Sequence, residues 1–449
     1  MLGGRTFAAL RRPARPTWLT SSRRPVVGSI LAGVFGQAVL VVTGVIVARA
    51  LGPADRGYLA FLFLLESVVR QVGALGLPAS TTYFVARNRA HAYDVVRAMR
   101  APALVQASAL TVIQAILLWV LIADEPERVW VAGLITVALL PAALGTDYGL
   151  AQLQGQGRFR AFNVFRMLPV GAYGVLVVFF FAIDKAGIIS ITVAAVLSVV
   201  AFAAVILRVA LRELRPAPST EQPPSRRQIF RFGLKGYIGT LSPNETFRLD
   251  QAAVGLFLAP VDLGLYVVAL SITNLPRFIA QSIGAIAFPR AAHDVDGRRT
   301  MWRFTGFTAV VSAAIVVPLG LAAGSLVPFF FGAEFADSVT VARILLVGAF
   351  FYAVRRVLMD GARGIGAPGI GSIAELASWV SLVLLLAILM PPFDLLGVAA
   401  AIALSSALSL AVLVVALLCT RVTGGTISSD PYFEISSTTV DAGLLGRDS

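Results

Sequence analysis

Cysteine, histidine, lysine and charge are all scarce in this sequence. Of its 449 residues one is cysteine, two are histidine, two are lysine, and only 14% are charged. A single cysteine, Cys419, excludes an intrachain disulfide, and its position in the last apolar run says nothing about redox compartment. His91 and His293 sit in separate basic loops with no cysteine or second histidine at ligand spacing, so no metal site is expected. There is no GxxxxGK[ST], so the chain carries no P-loop nucleotide engine. Gly364-x-Gly366-x-x-Gly369 has the letters of a dinucleotide fingerprint but no strand before it and no βαβ unit around it. No cofactor and no catalytic residue are expected.

What is present is hydrocarbon. The chain is 57% hydrophobic with a mean hydropathy of +0.83, far outside soluble composition. Apolar runs near twenty residues recur, each long enough to cross ~30 Å of bilayer core. The formal charge of +13 comes from arginines scattered over loops. They form no single patch, which argues against a nucleic-acid partner. Ser22-Arg23-Arg24-Pro25-Val26-Val27 has the outline of a twin-arginine export signal. Eleven further spans and the lack of a small-residue cleavage site make it a positive anchor instead.

The expected architecture is all-α, with twelve transmembrane helices in two six-helix lobes. Residues 1–25 form a basic cytoplasmic N-terminus. The first lobe, 26–207, has spans at 26–48, 57–80, 101–122, 129–151, 162–183 and 187–207. A polar, Pro- and Arg-rich cytoplasmic linker follows at 208–231. The second lobe, 232–420, has spans at 233–258, 263–288, 304–331, 338–360, 370–391 and 396–420. The Ser/Thr/Gly-rich tail, 421–449, reads as disordered. Loops on one side, with both termini, hold 29 of the 37 basic residues. Residues 355–363 count among those loops. The positive-inside rule then places both termini in the cytoplasm.

The two lobes repeat one another. Leu51, Pro53, Asp55, Gly57 and Arg70 fall on Leu258, Pro260, Asp262, Gly264 and Arg277. Gly155 and Gly157 fall on Gly364 and Gly366, and Asp184 and Gly187 on Asp394 and Gly397. An even number of helices per copy gives parallel insertion, with a site expected between the copies.

Ionisable residues at membrane depth are the informative ones, because each costs about 2.5–3.5 kcal/mol in an isolated helix. Asn244, Arg248 and Gln251 share one face of the seventh span, and Asn274, Arg277 and Gln281 one face of the eighth. Gln37 matches Asn244 under the repeat. Glu66 stands four residues before Arg70 and can pair with it. Glu245 and Asp250 add acids near the first face. Two readings compete: interhelical ion pairs that hold the bundle, or a hydrated cavity with a cationic floor. The recurrence of arginine at repeat-equivalent positions favours the cavity, and its planar fork suits phosphate. The expected substrate-contacting set is Arg70, Arg248, Arg277, Asn244, Gln251, Asn274, Gln281 and Gln37. Glu66, Glu245 and Asp250 are candidate coupling or charge-partner residues.

The ARALGPADRGY turn, the LQGQGRF loop and the RLDQAAVGLFLAPVDLGLY run resemble polysaccharide-biosynthesis membrane proteins. These are the O-antigen flippase type of the multidrug/oligosaccharidyl-lipid/polysaccharide exporter superfamily. The resemblance spans roughly residues 28–420. It implies a bacterial cytoplasmic-membrane protein working by alternating access. It implies transfer of an undecaprenyl-diphosphate-linked oligosaccharide to the outer leaflet, with a polymerase or glycosyltransferases as partners. It also implies that the cavity arginines are Arg70, Arg248 and Arg277. Three alternatives stay open. A multidrug exporter of the same fold would want acids facing organic cations, and 26–48 contains none. A lipid II-type flippase would have fourteen helices rather than twelve. A membrane enzyme would have a large outer loop, and the outer loops here are short.

Overall fold

A computed structural model describes residues 23–212, 214–216, 222–238 and 248–419. The N-terminal segment to 22 and the tail from 420 lie outside the described residues, as do Asn244 and Glu245. The described residues form thirteen α-helical elements and no strand. They are α1 (Arg23–Gly73), α2 (Leu77–Arg87), α3 (Ala92–Leu121), α4 (Glu127–Thr136), α5 (Leu139–Gly155), α6 (Phe159–Ala182) and α7 (Ile188–Leu211). After these come α8 (Arg226–Ile238), α9 (Leu249–Phe257), α10 (Pro260–His293), α11 (Gly297–Phe331), α12 (Ser338–Gly364) and α13 (Pro368–Cys419).

Twelve passes emerge once kinks and breaks are read. α1 is two helices meeting at Gly52, whose φ of 68° no ordinary helix residue adopts. Pro53 follows, where its missing N–H costs nothing at a helix start. α13 is likewise two helices, divided at Asp394. The second arm of α1 continues into α2 after a break carrying Leu75 and Gly76, both at positive φ. α4 with α5 makes one interrupted pass. α8 and α9 flank residues 239–247, which lie outside the described residues, and the expected seventh span runs through them. Eight of the helical segments are long and apolar enough to cross a bilayer by composition.

By packing, the chain divides into two compact units, Met1–Val268 with Pro328–Phe335, and Ala269–Val327 with Ala336–Ser449. In the first, Val47, Leu59, Leu62, Ile122, Val129 and Ile191 form a core. Arg49 draws the short 328–335 segment in by donating Nε to the Phe330 carbonyl at 2.7 Å and Nη2 to that of Phe329. In the second, Met301, Leu358, Ala362, Leu413 and Leu417 form the core. Large apolar side chains such as Val105, Trp119 and Leu321 remain exposed, as lipid-facing positions require.

The backbone repeats where the sequence repeats. Gly157 and Gly366 have φ of 74° and 79°, and Asp184 and Asp394 have φ of 56° and 45°. An aspartate held left-handed at two equivalent turns reflects a shared local requirement, because that conformation is disfavoured for residues with a Cβ. The two proline turns, Gly52-Pro53 and Ala259-Pro260, also touch, within the first unit. A Cβ on Gly57 would lie 1.7 Å from the carbonyl oxygen of Pro260, and one on Gly264 would lie 2.0 Å from that of Pro53. The contact is reciprocal: each copy's glycine receives the other copy's proline carbonyl, the pattern of a two-fold contact.

Two expectations need correction. The seventh span does not run as one helix through Arg248. Arg248 has φ 45° and stands just before α9, and a left-handed residue cannot continue an α-helix. The expected face shared with Asn244 falls outside the described residues. The stretch 355–363 is not a loop either, because α12 runs on to Gly364 and Arg355 is only 5% exposed.

Candidate functional site

In the first unit the charged centre is a cluster of three. Arg70, at the end of the second arm of α1, donates Nε to Glu66 Oε1 at 2.9 Å. Its Nη1 donates to Asp147 Oδ2 on α5 at 2.7 Å. The i, i+4 spacing brings Glu66 to Arg70 on one helix, while Asp147 arrives from 77 residues away. Glu66 is buried, and Arg248 lies within electrostatic reach of it. Arg70 is thus already neutralised twice over. An arginine so held offers a substrate phosphate little net charge.

Arg248 itself is exposed, and Gln37 and Gln251 are half-buried. Asp250 is buried and accepts a hydrogen bond from the Tyr266 hydroxyl at 2.9 Å. Its other oxygen has no partner among the described residues.

The second unit solves the same problem with opposite charge. Arg277, on α10, lies with its guanidinium 4.6 Å from the centre of the Tyr352 ring. Among the described residues it makes no ion pair. Asn274 and Gln281, one turn either side of it on the unbroken α10, are exposed. A second guanidinium, that of Arg355, lies 5.8 Å from the same Tyr352 ring. Its Nη1 donates to Glu375 Oε2 at 3.1 Å and to Ser409 Oγ at 3.0 Å. Ser409 donates in turn to the Ala374 carbonyl at 2.6 Å. Arg355 Nε and Glu375 Oε1 are buried without hydrogen-bond partners among the described residues.

The repeat explains the contrast. Arg70 and Arg277 are equivalent, and Asp147, eight residues before Gly155, and Arg355, nine before Gly364, stand one position apart in the repeat. Where the first copy brings an acid onto its arginine, the second places another cation over the ring that holds its counterpart. One copy carries Glu66, Arg70 and Asp147, a net negative triad. The other carries Arg277, Arg355 and Glu375, a net positive one.

Sequence reasoning missed Asp147, Tyr352, Arg355, Glu375 and Ser409. A signal existed for Asp147, an acid inside the span 129–151. Arg355 was hidden because 355–363 reads as a basic loop.

The removal of Arg70 gives a clear expectation. Arg70→Ala would leave buried Glu66 unpaired, and breaking a buried pair from one side costs about 3–5 kcal/mol. Detergent-solubilised Arg70→Ala should melt well below wild type. The triple change Arg70→Met, Glu66→Gln, Asp147→Asn should recover most of the loss. A wild-type melting point for Arg70→Ala alone would show that the triad does not hold the unit together.

Twelve passes with internal kinks and breaks and charged clusters within them define a transporter-type membrane fold, and solved structures share it. A structure titled "Lipid II flippase MurJ, inward closed conformation" matches with a TM-score of 0.67 at 14% identity, over 88% of this chain and 87% of that one. An inward-facing multidrug resistance MATE family transporter of the MOP superfamily matches with a TM-score of 0.67 at 19% identity, over 84% and 93%. A MATE structure in the straight conformation gives 0.57 at 19%, over 86% and 93%. No curated protein sequence matches. The family itself is set by the model of the polysaccharide biosynthesis protein family, which matches residues 46–340. The chain belongs to that family, a flippase-type group of multi-pass membrane proteins, as its turn and loop motifs implied.

Proposed function

We propose that this protein is a flippase that moves an anionic, polyprenyl-diphosphate-linked oligosaccharide from the cytoplasmic to the outer leaflet by alternating access. It would serve surface-polysaccharide synthesis in a bacterial cytoplasmic membrane, with both termini inside. The observation that carries this reading is Arg277, a guanidinium at membrane depth with an aromatic ring beneath it and no carboxylate partner among the described residues. A lipid diphosphate must shed water to cross, which is costly unless fixed cations replace its hydration. Arg277 with Arg355 beside it offers that charge, and Asn274 and Gln281 offer neutral hydrogen bonds to sugar. Arg248, exposed at a left-handed break, is a further cation for an anionic headgroup. Glu66, Glu245 and Asp250 remain the candidates for coupling.

A second reading has one observation in its favour. The buried Asp250 oxygen without a partner among the described residues is what a cation-coupled multidrug exporter would use. The two part in reconstituted vesicles given either a fluorescent polyprenyl-diphosphate oligosaccharide or a lipophilic dye cation. Movement of the first alone supports the flippase, and movement of the second alone replaces it. On a Cys419-free chain, a cysteine at Arg212 should react with an impermeant maleimide in inside-out vesicles and not in intact cells. Labelling of intact cells would reverse the orientation.

A further inference from the structure

A groove of about 1560 Å³ runs along the first unit, walled by the first arm of α1, by α6 and by Phe202 of α7. On α6 its lining extends from Phe159 to Val178, nineteen residues or ~28 Å of helix at ~1.5 Å each. That is nearly the full depth of the hydrocarbon core. Its lining is apolar apart from Thr43, whose hydroxyl donates to the Val39 carbonyl at 2.8 Å, and one end, where Arg160 and Asn163 stand. Arg160 is exposed and makes no ion pair among the described residues. The basic-loop bias puts that end at the cytoplasmic surface.

Glycines shape the groove. Gly36 and Gly174 let α1 and α6 cross closely: a Cβ on Gly36 would meet Met167 Sδ at 2.8 Å, and one on Gly174 would meet Val39 Cγ1 at 2.9 Å. Gly171, in the lining between them, faces open space with nothing within 4 Å of its Cβ position. A glycine inside a helix costs roughly 1 kcal/mol relative to alanine, and no described neighbour requires this one. The room it leaves is therefore available to a ligand.

We infer that this groove holds the isoprenoid tail of the lipid-linked substrate, with Arg160 meeting the diphosphate at the cytoplasmic end. The inference rests on the flippase reading and adds where the tail goes. Burial of the chain gains nothing from the hydrophobic effect, since the surrounding lipid is as apolar as the groove. Shape and charge must select the occupant. The groove's ridges recur at the helical pitch of ~5.4 Å, close to the length of one isoprene unit, so methyl branches can seat between them. The anionic headgroup matches the cation at the mouth.

Gly171→Phe tests the inference, because its side chain enters the groove from a Cβ position with nothing within 4 Å of it. The probe is a photoactivatable long-chain polyprenyl diphosphate bearing one N-acetylglucosamine, used on the full-length protein in nanodiscs. Wild type should be labelled on α6, between Val164 and Val178. Gly171→Phe should cut that labelling about tenfold, and Arg160→Ala should weaken it about tenfold, as loss of a charge-assisted contact predicts. Gly44→Ala, outside the lining and with nothing within 4 Å of its Cβ position, should label as wild type, and melting curves show that each variant is folded. Unchanged labelling in Gly171→Phe overturns the inference, as does equal competition by phosphatidylglycerol, which would make the groove a general phospholipid site. The labelling needs no transport. Loss of flipping with labelling intact would therefore count against the flippase reading and leave the groove standing.

Discussion

On the flippase reading, Arg277→Ala should slow export of a lipid-linked glycan about tenfold to hundredfold while leaving the folded protein at wild-type levels. The guanidinium has no carboxylate among the described residues to strand when it is removed, only the Tyr352 face at 4.6 Å. A cation–π contact contributes about 0.5–2 kcal/mol, too little to unfold a unit with its own core. A lost charge-assisted hydrogen bond to a phosphate removes about 1.5–3 kcal/mol, roughly a tenfold to hundredfold slower flip. A bidentate contact would remove more. Lysine at 277 should restore part of the rate, since it keeps the charge but neither forks nor stacks as guanidinium does. Adding Arg355→Gln should deepen the defect and lower stability, because Glu375 then loses its partner. The measurement is flipping of a labelled polyprenyl-diphosphate oligosaccharide in vesicles, beside surface-glycan staining in cells. Wild-type export by folded Arg277→Ala would remove the anionic-headgroup role from this residue. The equivalent change at Arg70 should behave differently, lowering stability first.

Gly57→Val should have the second large effect. Its Cβ would lie 1.7 Å from the Pro260 carbonyl oxygen and 3.1 Å from the Gly264 nitrogen. The obstacle is backbone, which cannot rotate away as a side chain can, so the two turns must separate. Overpacking of this kind costs typically about 1–3 kcal/mol. Alternating access requires such end contacts to form in one state and part in another, so the variant should shift the balance toward the separated state. Cysteines placed at Ala54 and Val261 on a Cys419-free chain should crosslink readily in the wild-type background and poorly with Gly57→Val. Gly44→Ala is the control, because nothing lies within 4 Å of that Cβ position. It should leave both crosslinking and export intact. Undiminished crosslinking in Gly57→Val would show that the seam yields locally and does not gate.

Much of this fold could be read directly, because its signals are local. Twenty-residue apolar runs locate passes whatever their neighbours do. Gly52-Pro53 and Ala259-Pro260 mark turns through backbone preferences that belong to those residues. Glu66 and Arg70 meet because a helix puts i and i+4 together, and here they do, at 2.9 Å. Periodicity failed at Arg248. The residues around it continue a helical apolar pattern, yet its backbone turns left-handed. Arg355 was misplaced for a related reason: arginines near the end of an apolar run look like loop. The charge partner that allows this one inside the helix, Glu375, lies across a turn on another helix.

The sequence by itself determined a twelve-pass membrane protein built from two parallel copies, with arginine at equivalent depths in each. Tertiary structure decided what those arginines are. Asp147 reaches Arg70 across 77 residues and cancels it, while Tyr352 lies under Arg277 and leaves its charge standing. Both arginines stand thirteen residues past the same turn glycine, so spacing along the chain could not tell them apart. The difference comes from which side chain a second helix brings within ~3 Å, where a low-dielectric interior makes a pair of opposite charges dominate the local field.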